Sequence, residues 1–438
     1  MYYIYSRHCR LSQLSMASES KPHTGAPCHE DKQASETLVE AYPVTKGSDP
    51  PSLSDEFPEG GPAAWITVLG SFLVQFSGFG YATSFGVYQD FYTQHYLTKE
   101  TSVGYIVSFY FGSFNMFLLT SVGLISGSLY DRGYFSPIFL AQGIGSGIAA
   151  GLLFVPSTAV VAHYFRRKRT LVLTFVATGS SLGATIHPIM LNHLLNGPLG
   201  FSNGVRASAG LITVLLLIAC LCMRTRLDSP TTPVNYVAAA RKCIRDVPFI
   251  LMTAAGFLFQ IGLYYPMFFF QLDCIQHGIS TTFSFYSLVI LNAANSVGRV
   301  TSGFIAAYTG VPNLTIVATI SCGVLNLGFI GLSNLASAIA LGVIYGYFAG
   351  LYIGVWTPLI ADLTSDPSEL GARMGISFFV SGDLSFILGT PIAGALLTSN
   401  YIWWIPALFS GVIALAGSMV YIVMRLVLVK GRSKKQRV

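Results

Sequence analysis

Arg299 and Asn295 are the residues of this 438-residue sequence whose types and spacing most clearly suggest chemistry. They lie four residues apart within a long apolar stretch, so on a helix both side chains project from one face. A guanidinium on such a face offers paired donors to a carboxylate or a polarised carbonyl. We therefore predict that both residues bind substrate. The alternative is that Arg299 binds backbone carbonyls or reaches the cytoplasmic membrane interface.

Asp383 and His187 also interrupt apolar stretches, and both are candidates for proton coupling. A carboxylate surrounded by lipid must be protonated, face water or meet a cation. Asp383 is therefore predicted to bind a proton or substrate, with Arg299 as one candidate partner; its alternative is a neutral acid bonded to a neighbouring helix. His187 can titrate near neutral pH, but beside Pro188 its more ordinary role is to bond a carbonyl that the proline frees.

Polar and aromatic side chains near the middle of other apolar stretches are predicted to line the same binding site. Aromatic walls with a few convergent polar groups are typical of small-molecule sites, although packing alone explains each position taken singly. The set comprises Gln75, Tyr81, Asn115, Tyr264, Phe268, Tyr352 and Trp356.

The elements that must position these residues are membrane-spanning helices. Hydrophobic residues make up 52% of the sequence and charged residues only 10%, and the stretch from Val300 to Ala361 contains no Asp, Glu, Lys or Arg. Only helices and closed barrels satisfy their backbone groups in lipid, and these stretches are too long for barrel strands. The composition excludes a soluble core.

Charge and motifs exclude several classes of function. The net charge is +6, but the basic residues lie between and after the apolar spans, which favours a role in membrane orientation over nucleic-acid binding. The seven cysteines show neither metal-ligand spacing nor a disulfide framework. Because no nucleotide loop or nucleophile with a matching base is present, we expect no enzyme activity, cofactor or metal.

The sequence predicts an all-α polytopic membrane bundle with eleven spans, five in the first half and six in the second. A disordered cytoplasmic tail is predicted for residues 1–58, helix bundles for 59–227 and 247–428, a cytoplasmic linker for 228–246 and a basic cytoplasmic tail for 429–438. The predicted spans are 63–89, 103–130, 137–164, 170–195, 207–227, 248–271, 282–308, 312–333, 335–361, 371–397 and 402–428.

The two halves look like repeats of one unit. In each half a Gly-containing segment closes one span, at Gly127 and at Gly303, and an arginine, Arg169 or Arg373, precedes a later Gly- and Pro-containing helix. Duplicated bundles of this kind are typical of secondary transporters. The interval between the two landmarks is 42 positions in the first half and 70 in the second, so the first half lacks the length of one helix and a turn.

Several ordered motifs carry a family resemblance that extends from Glu59 to Arg425. The motifs are Glu59-Gly-Gly-Pro-Ala-Ala-Trp65, Gly127-x-x-x-Asp131-Arg132-Gly133, His163-Tyr-Phe-Arg166-Arg167-Lys-Arg169 with Gly179 and Gly183 after it, and Glu369-Leu-Gly-Ala-Arg373. Together they resemble the major facilitator superfamily, specifically its fungal monocarboxylate transporter-like branch, which includes monocarboxylate porters and riboflavin transporter-like proteins.

The resemblance implies two six-helix bundles around a central cavity that opens alternately to either side of the membrane. Family helix three is missing from this sequence, and three explanations remain open: a skipped exon, a re-entrant hairpin around Gly143 to Gly147, or an inverted first pair of spans. The animal carriers have an aspartate at the position of Asn295 and a lysine at that of Thr83, so the resemblance adds Thr83 to the predicted substrate site. Both replacements remove titratable groups, which disfavours proton-coupled lactate transport by that mechanism.

The resemblance also implies a cytoplasmic gate and topology determinants. Asp131 and Arg132, followed by Gly133, are predicted to form a charged latch, with anchoring of the helix end as the alternative. The second half has Ala307 and Tyr308 in place of such a pair. The remaining predicted gate or topology residues are Arg166, Arg167, Arg169, Glu369 and Arg373.

The function predicted from these features is secondary active transport of a small organic solute by alternating access, with proton symport as an additional option. The solute is expected to be monocarboxylate-like or polar-aromatic, and the expected partners are this solute and the lipid bilayer. We expect a monomer in the plasma membrane, with the vacuolar membrane as an alternative. The five-span first half keeps a second hypothesis open, in which the protein is a carrier-derived sensor or an inactive truncated product that does not transport.

Overall fold

A computed structural model describes residues 59–83, 146–162, 164–224, 236–364, 369–397 and 402–435. Every regular element in these residues is helical. The helices of the first half are α1 (Pro62–Ser77), α2 (Phe79–Ala82), α3 (Ser146–Val161), α4 (Arg169–Asn196) and α5 (Gly200–Cys222). The predicted linker contains α6 (Tyr236–Cys243).

The second half contains longer helices and two irregular turns. Its helices are α7 (Val247–Gln276), α8 (Thr281–Thr309), α9 (Val311–Gly328), α10 (Leu335–Asp362), α11 (Leu370–Ser377), α12 (Leu384–Leu397) and α13 (Trp404–Lys435). A 3-10 turn at Phe329–Gly331 follows α9, and a π-helical turn at Phe378–Asp383 joins α11 to α12.

The predicted all-α membrane bundle is confirmed. Eight helical stretches of the described residues are long and apolar enough to cross a membrane. The 29-residue α8 is long enough as well, but Asn292, Asn295 and Arg299 make it more polar. Ten of the eleven predicted spans fall on described helices; the span predicted at 103–130 lies outside the described residues. The boundaries predicted for the two bundles stay a prediction.

Three of the differences from the predicted spans concern an interruption or an extension of a helix. The first predicted span is interrupted at Gly78, where α1 ends. The span predicted at 371–397 is divided into α11 and α12 by the π-helical turn. Helix α13 continues to Lys435, beyond the predicted end of its span at 428. Lys and Arg are good helix formers and are favoured at helix C-termini, so the basic segment extends the helix.

Local sequence signals explain several of the helix starts. Pro62 occupies the first turn of α1, where its missing N–H costs nothing. Ser280 caps α8 by accepting a hydrogen bond from the Phe283 amide at 3.3 Å. Asn334 and Ser337 form a reciprocal capping box at the start of α10.

A proline in the middle of α7 frees backbone carbonyls that neighbouring helices then satisfy. Pro266 has no N–H to donate to the Gly262 carbonyl four residues earlier. The Asn326 side-chain amide of α9 donates to this carbonyl at 3.0 Å. The Tyr345 hydroxyl of α10 donates to the adjacent Leu263 carbonyl at 2.6 Å. Both bonds supply partners that lipid cannot provide, and they fix α7 against α9 and α10.

Glycines let α8 and α10 pack with their backbones in direct contact. A Cβ atom at Gly350 would lie 2.2 Å from the Asn295 carbonyl oxygen, and one at Gly346 would lie 2.3 Å from the Leu291 carbonyl oxygen. Gly354 continues the row one turn later, where a Cβ would lie 2.3 Å from the Ser302 hydroxyl. Small residues at this spacing are the usual means of close helix approach in membranes. The row therefore fixes the backbone of the helix segment that carries Asn295 and Arg299.

The carboxylate of Glu59 fixes the segment that leads into α4. It accepts hydrogen bonds from the backbone N–H groups of Arg166 at 2.8 Å, Arg167 at 2.5 Å and Lys168 at 3.3 Å. Burial raises the pKa of Glu59, but these three bonds and the Arg167 charge together outweigh that effect and hold the pKa below its ordinary value. The acidic residue of the Glu59-Gly-Gly motif is thus a structural clamp on the Arg166 to Arg169 run.

Gly350→Ala is expected to destabilise the protein by about 1–3 kcal/mol, because the added methyl group must displace the α8 backbone. Thermal unfolding of the purified protein in detergent measures the effect. Gly375→Ala is the matched control, since a Cβ there meets no atom within 4 Å. A Gly350→Ala protein that melts at or above the wild-type temperature would contradict the close contact.

Glu59→Gln is expected to lower the melting temperature at pH 7 and to have little effect in acid. Because the folded pKa of Glu59 is lowered, its contribution is complete above the pKa of the unfolded chain and disappears as pH falls through the folded pKa. The measurement is thermal unfolding of both proteins from pH 7 downwards. Arg167→Ala is the control, because it keeps the backbone donor and should lose much less stability. Equal losses in the two variants at pH 7 would refute the clamp.

Candidate functional site

Arg299 and Asn295 contact each other on α8, as their spacing predicts. Arg299 Nε donates to the Asn295 side-chain oxygen at 2.7 Å, and both side chains are buried, with exposed fractions of 8% and 0%. The Asn295 amide nitrogen is buried and has no hydrogen-bond partner in the described residues. An amide N–H without an acceptor is costly in a dry environment, so this group is a ready donor for a ligand oxygen.

The Arg299 guanidinium crosses from the second half of the chain to α4 in the first half. Its Nη1 atom donates to the Ala177 carbonyl at 2.6 Å and to the Ser180 hydroxyl. One turn away, the Ser296 hydroxyl donates to the Ser181 hydroxyl at 2.9 Å. Binding to a backbone carbonyl is part of the alternative that the sequence left open for Arg299. Its Nη2 atom donates to none of the residues that the structure describes.

An aromatic wall stands beside this pair on α7 and α12. The Tyr264 ring lies edge-on to Phe386 with ring centroids 4.9 Å apart, and Phe268 lies 5.3 Å from the same ring. On α10, Trp356 stacks on Tyr352 at 6.3 Å. The structure thus brings together the predicted residues Tyr264 and Phe268, and separately Tyr352 and Trp356.

Tyr264 links the aromatic wall to the charged residues. Its hydroxyl is within electrostatic reach of both the Asp383 carboxyl and the Arg299 guanidinium. The same hydroxyl donates to the Gln260 side-chain oxygen at 3.2 Å, and the Gln260 amide donates to the Tyr352 hydroxyl at 3.3 Å. A fourth member, Tyr421 of α13, lies 3.2 Å from the Tyr352 hydroxyl. This chain of bonds fixes the Tyr264 ring.

Sequence reasoning missed Gln260 and Tyr421 as members of this network. Gln260 lies four residues before Tyr264 in an otherwise apolar stretch, and that spacing is a signal that could have identified it. Tyr421 gives no comparable signal, because its partner is on a helix far away in the sequence.

Asp383 ends the π-helical turn and is buried, with 3% of its surface exposed. The next turn is fixed to α7 by the Ser385 hydroxyl, which donates to the Phe257 carbonyl at 2.9 Å. A Cβ atom on the neighbouring Gly382 would lie 3.3 Å from the Trp356 ring. π-helical turns are frequent at functional sites because they re-aim side chains within a helix. Here Asp383 is the last residue of the turn, and Phe386 of the aromatic wall follows it by three residues.

His187 belongs to a separate group in the first half. Its Nε2 atom lies 3.2 Å from the Phe76 carbonyl of α1, and its ring contacts Phe76 and Tyr81. The ordinary role considered for His187 was a bond to a carbonyl freed by Pro188. The bonded carbonyl belongs instead to α1, just before its interruption at Gly78. Thr83 is exposed and donates to the Gly80 carbonyl at 2.8 Å.

Glu369 and Arg373 form an ion cluster at the start of α11. Arg373 Nη1 donates to the Asp246 carboxylate at 2.7 Å and to the Leu363 carbonyl at 3.1 Å. Glu369 pairs with Lys242 of α6, and its other oxygen lies 3.9 Å from Arg373 Nε. The cluster connects the linker, the cap of α7 and α11. The second half therefore has its own ion cluster, although it has Ala307 and Tyr308 where the first half has the predicted latch pair.

The other predicted gate residues have different surroundings. Arg166 and Arg167 are exposed and lie in the Glu59 clamp. Arg169 begins α4 and interacts electrostatically with Asp362, the last residue of α10, so it faces the other half of the chain. Asn115, Asp131, Arg132 and Gly133 lie outside the described residues.

Comparison with known proteins agrees with this architecture. Residues 117–344 match the sequence profile described as Major Facilitator Superfamily. The Aspyridones efflux protein apdF of Emericella nidulans is 31% identical to this chain over 407 residues, which covers 88% of this chain and 82% of that protein. The Fujikurins efflux protein of Gibberella fujikuroi is 30% identical, with 92% and 91% covered.

Another fungal relative and a solved structure extend the comparison. The Agnestins efflux protein AgnL12 of Paecilomyces divaricatus is 28% identical, with 94% of this chain and 98% of that protein covered. The crystal structure of the transporter FucP in the outward conformation shares the fold, with a TM-score of 0.58, 14% identity, and 82% of this chain and 98% of FucP covered. These relatives are transporters rather than enzymes. This multi-pass membrane protein therefore belongs to the Major Facilitator Superfamily of transporters.

Proposed function

We propose that this protein is a secondary active transporter that exports a small polar-aromatic or anionic organic solute by alternating access. The observation that carries the proposal is the buried Asn295–Arg299 pair, close to an aromatic wall. Within the described residues, the Asn295 amide N–H and the Arg299 Nη2 group have no hydrogen-bond partner. Export is favoured over uptake because the similar fungal proteins are efflux proteins by name. The monocarboxylate-like branch remains a sequence-based prediction that supports an anionic solute.

The pair is suited to an oxygen-rich part of the solute. A carboxylate, an enolate or a polarised carbonyl can accept from the Arg299 Nη2 group and from the Asn295 amide at once. Charge-assisted hydrogen bonds of this kind contribute about 1.5–3 kcal/mol each. The pair therefore supplies orientation and a preference for anionic or strongly polarised groups.

The aromatic wall is suited to the ring system of the same solute. Tyr264, Phe268 and Phe386 present three rings in edge-to-face contact, and such rings gain about 0.5–1.5 kcal/mol from a further aromatic partner beyond area burial. Because Gln260 holds the Tyr264 hydroxyl, the wall is ordered before the solute binds. Preorganisation of this kind reduces the entropy cost of binding.

Arg299 also supplies a way to couple binding to alternation. In this conformation its Nη1 group binds the Ala177 carbonyl of α4, across the contact between the two halves. An anionic solute competes for the guanidinium and weakens this contact. Binding thus shifts the balance between conformations through a difference in interaction energy, as alternating access requires.

Asp383 is the proposed proton-coupling group. Its carboxyl is buried, and it lies within electrostatic reach of Tyr264 in the proposed solute site. Loss of its proton adds a negative charge near the solute, so the affinity for an anionic solute depends on whether Asp383 carries its proton. His187 is the weaker candidate for this role, because its Nε2 atom is committed to the Phe76 carbonyl.

We keep the sequence-based prediction that the transporter is a monomer in the plasma membrane.

Arg299→Lys is expected to reduce transport at least about tenfold, since lysine cannot form the paired bonds of the guanidinium fork. Transport is measured in inside-out vesicles supplied with a panel of aromatic carboxylic acids and phenolic ketones. Arg425→Lys is the control, because Arg425 bonds only Asn313 among the described residues, at a distant point on α13.

Asn295→Ala and Asn292→Ala form a second matched pair in the same assay. Asn292 already donates to the Leu288 carbonyl at 3.0 Å and should tolerate the change, whereas Asn295→Ala removes the unpartnered donor. No transport of any compound by wild-type protein, or equal rates in both variants, would count against the proposed site.

Asp383→Asn is expected to remove the acceleration that a proton gradient gives to transport, because the amide cannot exchange a proton. The rate is compared in the same vesicles with and without an imposed pH gradient. Gradient-driven transport at the wild-type rate in Asp383→Asn vesicles would exclude Asp383 as the coupling group.

A further inference from the structure

A second buried carboxylate lies at the end of α7 opposite the linker, away from the proposed solute site. Asp273 is 1% exposed, and His277 follows it by four residues at the helix end. The His277 Nδ1 atom lies 2.9 Å from the Asp273 carboxylate oxygen Oδ1 and 3.0 Å from the Asp273 backbone carbonyl oxygen. Neither residue takes part in the Arg299, Tyr264 or Asp383 contacts.

Among the described residues, we find no other group near Asp273 that could neutralise its charge. The described turns that pack at this level are the first turns of α8, α10 and α13 and the last turns of α9 and α12, and they carry no Asp, Glu, Lys, Arg or His. On α7 itself the nearest ionisable groups are the Tyr265 phenol and the Cys274 thiol. The Tyr265 hydroxyl is buried without a partner in the described residues. In the part of the chain that the structure describes, His277 is therefore the only group that can be a cationic partner of this carboxylate.

The two residues differ sharply in their access to water. The Asp273 side chain is 1% exposed, whereas 32% of the His277 side chain is exposed. The Asp273 Oδ1 atom accepts no well-aligned hydrogen bond from described residues, although Nδ1 is close. One proton taken up by the pair either charges the imidazole beside the carboxylate or neutralises the acid itself. Without that proton, an unneutralised carboxylate remains buried, which is strongly unfavourable.

The pair lies on the side of the membrane away from the basic linker. Lys242 and Arg245 precede α7, and the positive-inside rule assigns that end to the cytoplasm. Helix α7 has 30 residues and a length of about 45 Å, enough to cross the bilayer. His277 is thus in contact with the non-cytoplasmic solution, which is outside the cell or in the lumen of an organelle.

We infer that Asp273 and His277 form a proton-binding site that senses pH on the outer side. The packed outer end of α7 holds one proton in the pair, and the proton leaves to water through the exposed imidazole when this end opens. Acid outside therefore favours the packed state of the outer end, and alkaline solution favours its opening. The site acts on the conformational balance and is separate from the solute site.

The test is the pH dependence of thermal unfolding of the purified protein without substrate. In wild-type protein, stability should be constant below about pH 6.5, where the imidazole of the unfolded chain also carries a proton, and should fall as pH rises from there to 8. The unfolding constant then changes by at most about tenfold per pH unit, which is the limit for one proton. Asp273→Asn keeps the shape of the side chain but carries no charge. The Asp273→Asn protein should lose this pH-dependent part of the stability and should melt at a higher temperature than wild type at pH 8.

His277→Gln provides a second, independent variant at an exposed position. It leaves Asp273 without its cation, so its melting temperature should fall further below wild type at pH 8 than at pH 5.5. His193→Gln is the matched control, because His193 is an exposed histidine near the end of α4 that makes no ion pair in the described residues. It should retain the wild-type pH dependence.

Wild-type slopes in Asp273→Asn, or an equal loss at both pH values in His277→Gln, would overturn the inference. If Asp273→Asn cannot be purified, His277→Gln alone decides the question. The measurement uses no solute, so its outcome is independent of whether the proposed transport activity is found.

Discussion

The direct contact between the backbones of α8 and α10 is the constraint on which the centre of this protein depends. Gly346, Gly350 and Gly354 leave no room for a Cβ atom against α8. In lipid, helix association gains little from the hydrophobic effect, so close packing of this kind carries much of the stabilisation. Because Asn295 and Arg299 belong to the contacted segment, the glycine row also determines where the guanidinium points.

Polar groups inside the bundle fall into two kinds. Some repair the backbone: Asn326 and Tyr345 bond carbonyls near Pro266, and His187 lies against the Phe76 carbonyl. Others leave an N–H donor without a partner among the described residues, as the Asn295 amide does. In an apolar medium an unpaired donor is retained only at a cost in stability. The first kind therefore explains how broken helices persist in lipid, and the Asn295 amide lies at the centre of the proposed solute site.

The ion pairs at the two ends of the second half differ in composition. At the basic end, Arg373, Asp246, Glu369 and Lys242 form a cluster in which several opposite charges satisfy one another. At the other end, Asp273 has one ionic partner in the described parts of the chain, and that partner is a histidine. A lysine or arginine would stay charged at all ordinary pH values, whereas an imidazole gains and loses its proton within that range. The first arrangement suits permanent attachment, and the second suits a response to pH.

The sequence by itself determined the membrane class, most of the spans and the α8 spacing that brings Asn295 to Arg299, since these depend on local apolar length and helical periodicity. Its ordered motifs also indicated the superfamily. Only the tertiary structure decided that Arg299 binds Ala177, that Gln260 joins Tyr264 to Tyr352, and that α11 and α12 are separated by a π-helical turn. The Arg299–Ala177 and Gln260–Tyr352 contacts join residues 122 and 92 positions apart, and the turn depends on a register shift within a helix. Periodicity records only which face of a helix is apolar, never which neighbour it meets.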